Sequence, residues 1–252
     1  QVPLLWEYIF SQGVCISFAY TSFKWTNNAK YNAGVTCVIL GLSNLDNGKR
    51  FLYSNDGVKV VDNITPYLTA AKTNIINKYS SSISGFVPMS FGSMPNDGGS
   101  LLLDSQEKEA ILQENENCLE FIHSLLGAQE FIRGEKRFCL WITEDTFEKA
   151  NSISPIRKRI DRCRQIREES KRASTQKLAE KPFSFGEVRY KETECIIIPG
   201  VSSENRKYIP IGYLEKGTVV TNSAFAIYDA SLWLFGILTS EMHMVWVRTV
   251  GG

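Results

Sequence analysis

Apolar and polar positions along the chain switch between a helical and an alternating period, and the switches mark the elements. VPLLWEYIFSQG has apolar residues at helical spacing and stops at Gly13, predicting a short opening helix. VCISFAYTSFKW then reads as a strand, TNNAKYNAG as a polar loop, and VTCVILGL as a second, more deeply buried strand. SNLDNGKR predicts a turn around its Asn-Gly pair, and GVKVVDNITPYL another strand. Composition shifts here, so a domain boundary is expected near residues 53 to 57.

VPMSFGSMPNDGGSLLLD reads as a loop punctuated by glycine and proline. SQEKEAILQENENCLEFIHSLLG predicts one or two helices, with Ser105, Lys108 and Glu109 as a partial N-terminal cap and Gly127 as the stop. RFCLWI reads as a short strand. From Pro155 the pattern predicts a helix with proline in its first turn, and Ile156, Ile160, Cys163, Ile166 and Leu178 on one narrow stripe. Strands CIIIP, KYIPIGYL and TVVTNSAFAIY and a last helix, SLWLFGILTSEMHMVWVRTV, complete the chain, without repeats or low-complexity tracts.

A length of 252 residues suits one large or two ordinary domains. The longest apolar runs, VTCVILGL and ASLWLFGIL, are too short for a membrane span, so no membrane partner is expected. QVPLLWEYIF has neither signal-peptide features nor an initiator Met and starts as if inside a helix, as a piece of a longer protein would. The six cysteines are scattered singly and there are two histidines, which argues against zinc and against a disulfide framework. Buried or idle thiols in a reducing cytoplasm are the expectation, with no metal.

Net charge is only +1, yet Ile156–Lys181 holds ten basic and four acidic residues, a local +6. Such a helix would suit phosphates, which reward Lys and Arg through counterion release. It would equally suit a solvated surface helix laced by pairs such as Arg164–Glu168. Between CIIIP and YIPIGYL sits a polar knot, Ser202-Ser203-Glu204-Asn205-Arg206-Lys207. Glu204 and Arg206 are two residues apart and point the same way in extended backbone. Arg matches guanine O6 and N7 and a carboxylate accepts from cytosine N4; the other reading is a surface turn with a weak internal ion pair. PNDGG fits neither P-loop nor EF-hand spacing and reads as a tight turn. Phe23 and Trp25 read as core aromatics or as stacking faces for an extruded base. His123 and His243 read as packed core histidines. No Ser-His-Asp grouping or glycine-rich cofactor loop is present, so the residues describe a binding module rather than a complete enzyme.

FKWTNNAKYNAGVTCVILGL, PNDGGSLLLD, FGEVRY, VSSENRKYIPIGYL and FGILTSEMHMVWVR, in this order, resemble the C-terminal half of MmeI-type restriction–modification proteins. These join a DNA adenine methyltransferase, and often an endonuclease, to a target-recognition domain. The resemblance spans nearly the whole chain. It implies a mixed α/β (α+β) fold: residues 1–55 as the tail of a Rossmann-like methyltransferase sheet, and 56–252 as a recognition domain of twisted β-sheet with packed helices. The family's cofactor glycine motif and Asn-Pro-Pro-Tyr/Phe motif do not occur here. The chain alone is therefore expected to bind no S-adenosylmethionine, to contain no catalytic residue and to be inactive. The cofactor and any nuclease would belong to upstream domains of the same polypeptide. The partner implied is double-stranded DNA. Ser203, Glu204, Arg206 and Lys207, with Glu187 and Arg189 of FGEVRY, are then the base-reading candidates. Arg157, Lys158, Arg162, Arg164, Lys171 and Arg172 are the phosphate candidates, and Phe23 or Trp25 would line the pocket for a flipped adenine. The rival is a protein-interaction or structural domain with a solvated basic helix.

Overall fold

A computed structural model describes residues 2–25, 35–45, 48–203 and 205–251. The loop TNNAKYNAG and Asn47 of the predicted Asn-Gly turn lie outside the described residues. The chain divides into two compact units, one of Gln1–Ile83 with Trp246–Gly252 and one of Ser84–Val245.

In the first unit, α1 (Val2–Ser11) buries Trp6 and ends ahead of Gly13, whose φ of 74° takes the left-handed turn that glycine permits. β1 (Cys15–Lys24) and β2 (Thr36–Ser43) run antiparallel; the expectation that the second is the more deeply buried is corrected, since β2 holds no buried residue whereas β1 buries Ile16 and Ala19. β3 (Arg50–Ser54) and β4 (Gly57–Val61) form a hairpin, and β3 lies parallel to β1, giving the order β2-β1-β3-β4. β3 was not among the predicted strands. Five residues next to a turn carry too little alternation to stand out. Ile16 and Ala19 of β1 pack with Trp6 and Ile64 in this unit's core.

The second unit opens with β5 (Ser90–Phe91) and β6 (Leu102–Leu103), two short strands inside the segment expected to be all loop. α2 (Ser105–Glu114) follows. Its N-cap is Asp104, not Ser105: the Asp104 carboxylate accepts from Glu107 N–H while Glu107 accepts from Asp104 N–H, a complete capping box. A 3-10 turn, Glu116–Phe121, leads into β7 (Ile122–Leu126). The expectation of helix through His123 is thus corrected. Cys118 and Phe121 fill the core below, and the chain leaves as a strand paired on both sides.

Next come α3 (Ala128–Arg133), β8 (Phe138–Leu140), α4 (Phe147–Ser152), α5 (Ser154–Glu168) and α6 (Ala173–Lys177). The basic segment is therefore two helices with a break at 169–172, and Leu178 belongs to a separate 3-10 turn rather than to the α5 stripe. β9 (Cys195–Pro199) and β10 (Gly212–Leu214) form an antiparallel hairpin. TVVTNSAFAIY is not one strand but two, β11 (Thr218–Val220) and β12 (Ala224–Tyr228), which join different sheets. The last predicted helix is also two, α7 (Leu232–Leu238) and α8 (Glu241–Val250). Between them Ser240 Oγ accepts from His243 N–H, capping the new helix.

One sheet of this unit is β10-β9-β12-β5, antiparallel throughout; the other is β11-β7-β8-β6, with β11 parallel to β7. The run CIIIP is continuous rather than alternating because β9 is covered on both faces. Cys195 and Ile197 pack with Val220 and Ala226, while Ile196 packs with Ile227 and Leu234 of α7. α5 seats Ile156 and Ile160 against Leu103, Phe121 and Leu140. The fold is mixed α/β, built of small sheets and short helices.

Candidate nucleic-acid interface

The polar knot is the tip of the β9–β10 hairpin. Ile197 faces Gly212 across the ladder, so the knot lies in the connection between Pro199 and Gly212. Ser203 organises the tip: its hydroxyl accepts from Asn205 N–H at 3.3 Å and its carbonyl from Arg206 N–H at 3.1 Å. Arg206 and Lys207 are exposed, and the Lys207 ammonium lies 5.4 Å from the Tyr208 ring centroid. Ile209 N–H, donating to Met244 Sδ at 3.4 Å, ties the loop's return to α8. Glu204 lies outside the described residues.

FGEVRY is held differently. Ser93, fully buried, accepts from both Arg189 and Tyr190 N–H at 3.0 and 3.1 Å, and Glu187 pairs with Met94 in an isolated bridge. The Arg189 guanidinium donates to Gly92 O at 3.1 Å and pairs with the Glu187 carboxylate. The two side chains do lie together, as their spacing predicts, and they hold each other.

The basic segment sorts into two groups. α5 turns Ile156, Ile160, Cys163 and Arg167 inward at helical spacing. Arg167 is 1% exposed and spreads its donors over five carbonyl oxygens: Pro95, Asn96, Leu178, Lys181 and Ser184, at 2.8–3.0 Å. Burial pulls its pKa below the ordinary guanidinium value, with the charge of nearby Asp97 opposing. Asp97, also buried, accepts from Leu101 N–H at 2.6 Å and Gly99 N–H at 3.1 Å. PNDGG is thus the tight turn its glycines predict, with φ of 61° at Gly98 and 84° at Gly99, and Arg167 ties its Pro95 and Asn96 carbonyls to α5.

Arg159 is likewise turned in, donating to Ser100 and Leu102 carbonyls and to Glu107 at 2.7 Å. Burial would raise the Glu107 pKa, but hydrogen bonds from Arg159 and from Asp104 N–H outweigh it and hold the carboxyl below its ordinary value. Lys158 pairs with Glu114 at 3.2 Å, Lys181 with Glu144, and Arg164 approaches Asp161 at 4.0 Å rather than forming the expected pair with Glu168. Arg157, Arg162, Lys171 and Arg172 are exposed and have no side-chain partner among the described residues.

Phe23 is half-buried near the end of β1 and Trp25, 52% exposed, follows it; their centroids are 6.5 Å apart, and Tyr20 closes edge-on to Phe23 at 5.5 Å. The two aromatics therefore form one cluster in the first unit. Among the described residues no group of three His, Cys, Asp or Glu is placed to hold a metal, and no helix is long and apolar enough to cross a membrane. None of the six thiols is in a disulfide; burial pushes Cys163 and Cys195 up to about 11, which keeps them protonated and unreactive.

Sequence reasoning also missed an open cleft of about 420 Å³ around Trp141, His123 and Tyr190. Tyr190 meets Trp141 edge-on at 5.0 Å and His123 edge-on at 5.8 Å. His123 stands on β7, not on a helix, and its buried Nδ1 has no hydrogen-bond partner among the described residues. Burial holds this imidazole below its ordinary pKa, against the opposing pull of Glu192 and the Gly217 backbone. The folded chain therefore favours neutral His123. Its contribution to stability is complete above an ordinary histidine pKa of about 6.5 and is lost as pH falls below that value toward the depressed one. The expected outcome is a lower urea midpoint at about pH 5.5 than at about pH 7.5, with a smaller difference in His123→Gln.

Compared with known proteins, residues 70–252 match the family model described as MmeI, target recognition domain, and residues 1–54 match that of the MmeI DNA-methyltransferase domain. DNA methyltransferase A of Bacillus subtilis (strain 168) is 41% identical over 253 residues, covering 100% of this chain and 29% of the relative. The solved structure of the Type IIL restriction–modification enzyme MmeI in complex with DNA superposes with a TM-score of 0.80 at 32% identity, over 100% of this chain and 34% of that one. The fold and these matches define a DNA-methyltransferase segment joined to a target-recognition domain. The chain belongs to the MmeI family and spans about a third of the length of the relatives it matches.

Proposed function

We propose that the chain reads a specific sequence in double-stranded DNA on behalf of an adenine-N6 methyltransferase, with 56–252 as the reading domain and 1–55 as the end of the catalytic domain. The observation that carries this is the similarity of the whole chain to a protein solved with DNA bound. In this reading the hairpin tip enters the major groove. Glu204 and Arg206 meet base edges there, with Ser203 shaping the turn and Lys207 beside them, and the Glu187–Arg189 pair supplies a second contact. Arg157, Lys158, Arg162, Arg164, Lys171 and Arg172 meet phosphates. Lys158 and Arg164 must then leave Glu114 and Asp161, whereas the other four have no side-chain partner among the described residues. Phe23 or Trp25 stacks on an adenine turned out of the duplex, whose N6 is otherwise hidden. S-adenosylmethionine is held by the rest of the methyltransferase domain.

The test is duplex binding by gel shift at several salt concentrations, followed by exchange of Glu204 and Arg206 for other polar residues in the complete methyltransferase. Exchange is expected to change the preferred base at one position, each lost contact costing about 1–3 kcal/mol of discrimination. Unchanged methylation sites after both exchanges remove the pair from the readers. Salt-independent or absent duplex binding instead favours an interaction domain with a solvated basic helix.

A further inference from the structure

Alternation along the chain builds the cleft around Trp141. Val188, Tyr190 and Glu192, each two residues from the next, all line it, while the interleaved Glu187 and Arg189 hold each other. His123 of β7 and Trp141, directly after β8, complete the wall. Trp141 and Tyr190 meet with 71° between their planes and 5.0 Å between centroids, so the two rings make a corner rather than a stack. The corner is acidic. Glu192 accepts from the Tyr190 hydroxyl, and Glu120 also lines the cleft, paired with Lys149 at 2.5 Å. No Lys or Arg lines it, and among the described residues Glu192 has no cation at ion-pair distance. Its charge reaches both neighbouring rings. After burial, Glu192 is what holds the Tyr190 hydroxyl above its ordinary pKa, and it works against the burial that depresses His123.

Charge and shape together select the occupant. An anion would meet two carboxylates here, and an uncharged apolar ligand would leave Glu192 without a counter-charge. A cation set against aromatic faces gains from both. The smaller cavity beside it, of about 220 Å³, shares Trp141, Thr143 and Val188 but contains Lys181 with its partner Glu144, and so is electrically balanced. The hydroxyls on the cleft wall are already engaged: Thr143 and Thr146 share a hydrogen bond at 3.1 Å, and the Tyr190 hydroxyl is taken by Glu192. A cation with no N–H left to satisfy therefore fits better than a primary amine. We infer that the cleft binds a small, free alkylated ammonium ion, with Trp141 and Tyr190 against its methyl groups and Glu192 as its counter-charge. This site is separate from the DNA contacts proposed above and does not depend on them.

Calorimetric titration of the complete gene product with choline tests this, against the uncharged isostere in which carbon replaces the quaternary nitrogen. Choline is expected to bind at least about tenfold more tightly than the isostere. Glu192→Gln keeps the side chain's size and its acceptor for Tyr190 but removes the charge. Val188→Arg, at a position 54% exposed, sets a cation in the cleft without disturbing the core. Each variant is expected to weaken choline by at least about tenfold while its urea midpoint stays close to the native one. Equal affinity for choline and the isostere would reduce the cleft to an apolar hollow and overturn the proposal. So would the absence of choline binding, or binding that neither variant weakens. A peptide carrying trimethyllysine separates the two sources of such a head group: tighter binding of the peptide than of choline would make the occupant a protein segment and overturn the free ion.

Discussion

Arg167→Ala is expected to lower the stability of the second unit by about 3–5 kcal/mol, the range for removing one partner from a buried charged network. The side chain lies almost wholly inside the protein, and its donors meet five carbonyl oxygens from two separated stretches, 95–96 and 178–184. Alanine removes all five bonds, leaves the Asn96 and Ser184 carbonyls without a donor among the described residues while Pro95, Leu178 and Lys181 keep one backbone N–H each, and removes the positive charge near buried Asp97. Arg167→Lys keeps the charge but has three donors and no planar fork, so it should recover only part of the loss. Urea unfolding of the native chain and both variants measures this. An unfolding free energy for Arg167→Ala within about 1 kcal/mol of the native one would mean that water or neighbouring groups replace the clamp.

The Arg167 clamp also shows where sequence pattern stops informing. The α5 stripe was legible, since Ile156, Ile160 and Cys163 are all buried. The fourth inward position at that spacing is an arginine, and a rule that sends charge to the surface assigns it to the wrong side. The missing information was a ring of five converging carbonyls, which only the fold assembles. α1 with Gly13, β1, β2 and β9 were readable because each is a sustained pattern with a clear stop. β7 was not: Ile122–Leu126 follows helical sequence without a glycine or proline between, and five apolar-rich residues fit either period. Two of the differing boundaries do carry local signals. Asp104 followed three residues later by Glu107 is a capping-box pattern, and Thr239-Ser240-Glu241 after Leu238 is a helix-start pattern. For the candidate interface, the hairpin-tip position of the knot followed from two flanking apolar runs. Which cations face outward did not follow, because Glu107, Glu114 and Glu144, far away in sequence, take up Arg159, Lys158 and Lys181.

That sorting leads to the second large effect, expected from Arg157, Arg162, Lys171 and Arg172 changed together to glutamine. The four are exposed and without side-chain partners among the described residues, so neutralising them breaks no ion pair there and should leave the urea midpoint nearly unchanged. If all four sit on phosphates, the slope of log affinity against log salt becomes shallower by about 3.6, at about 0.9 per contact. Between about 50 and about 200 mM salt the native chain should then lose roughly 100-fold more affinity than the variant. Base preference should stay the same, because phosphate contacts fix position without reading sequence. The same measurement on Arg159→Gln separates the two uses of positive charge on α5. Its guanidinium is spent on Ser100, Leu102 and Glu107, so the salt slope should hold while the urea midpoint falls. A slope unchanged by the fourfold variant would place the duplex on another surface and leave α5 as a solvated helix.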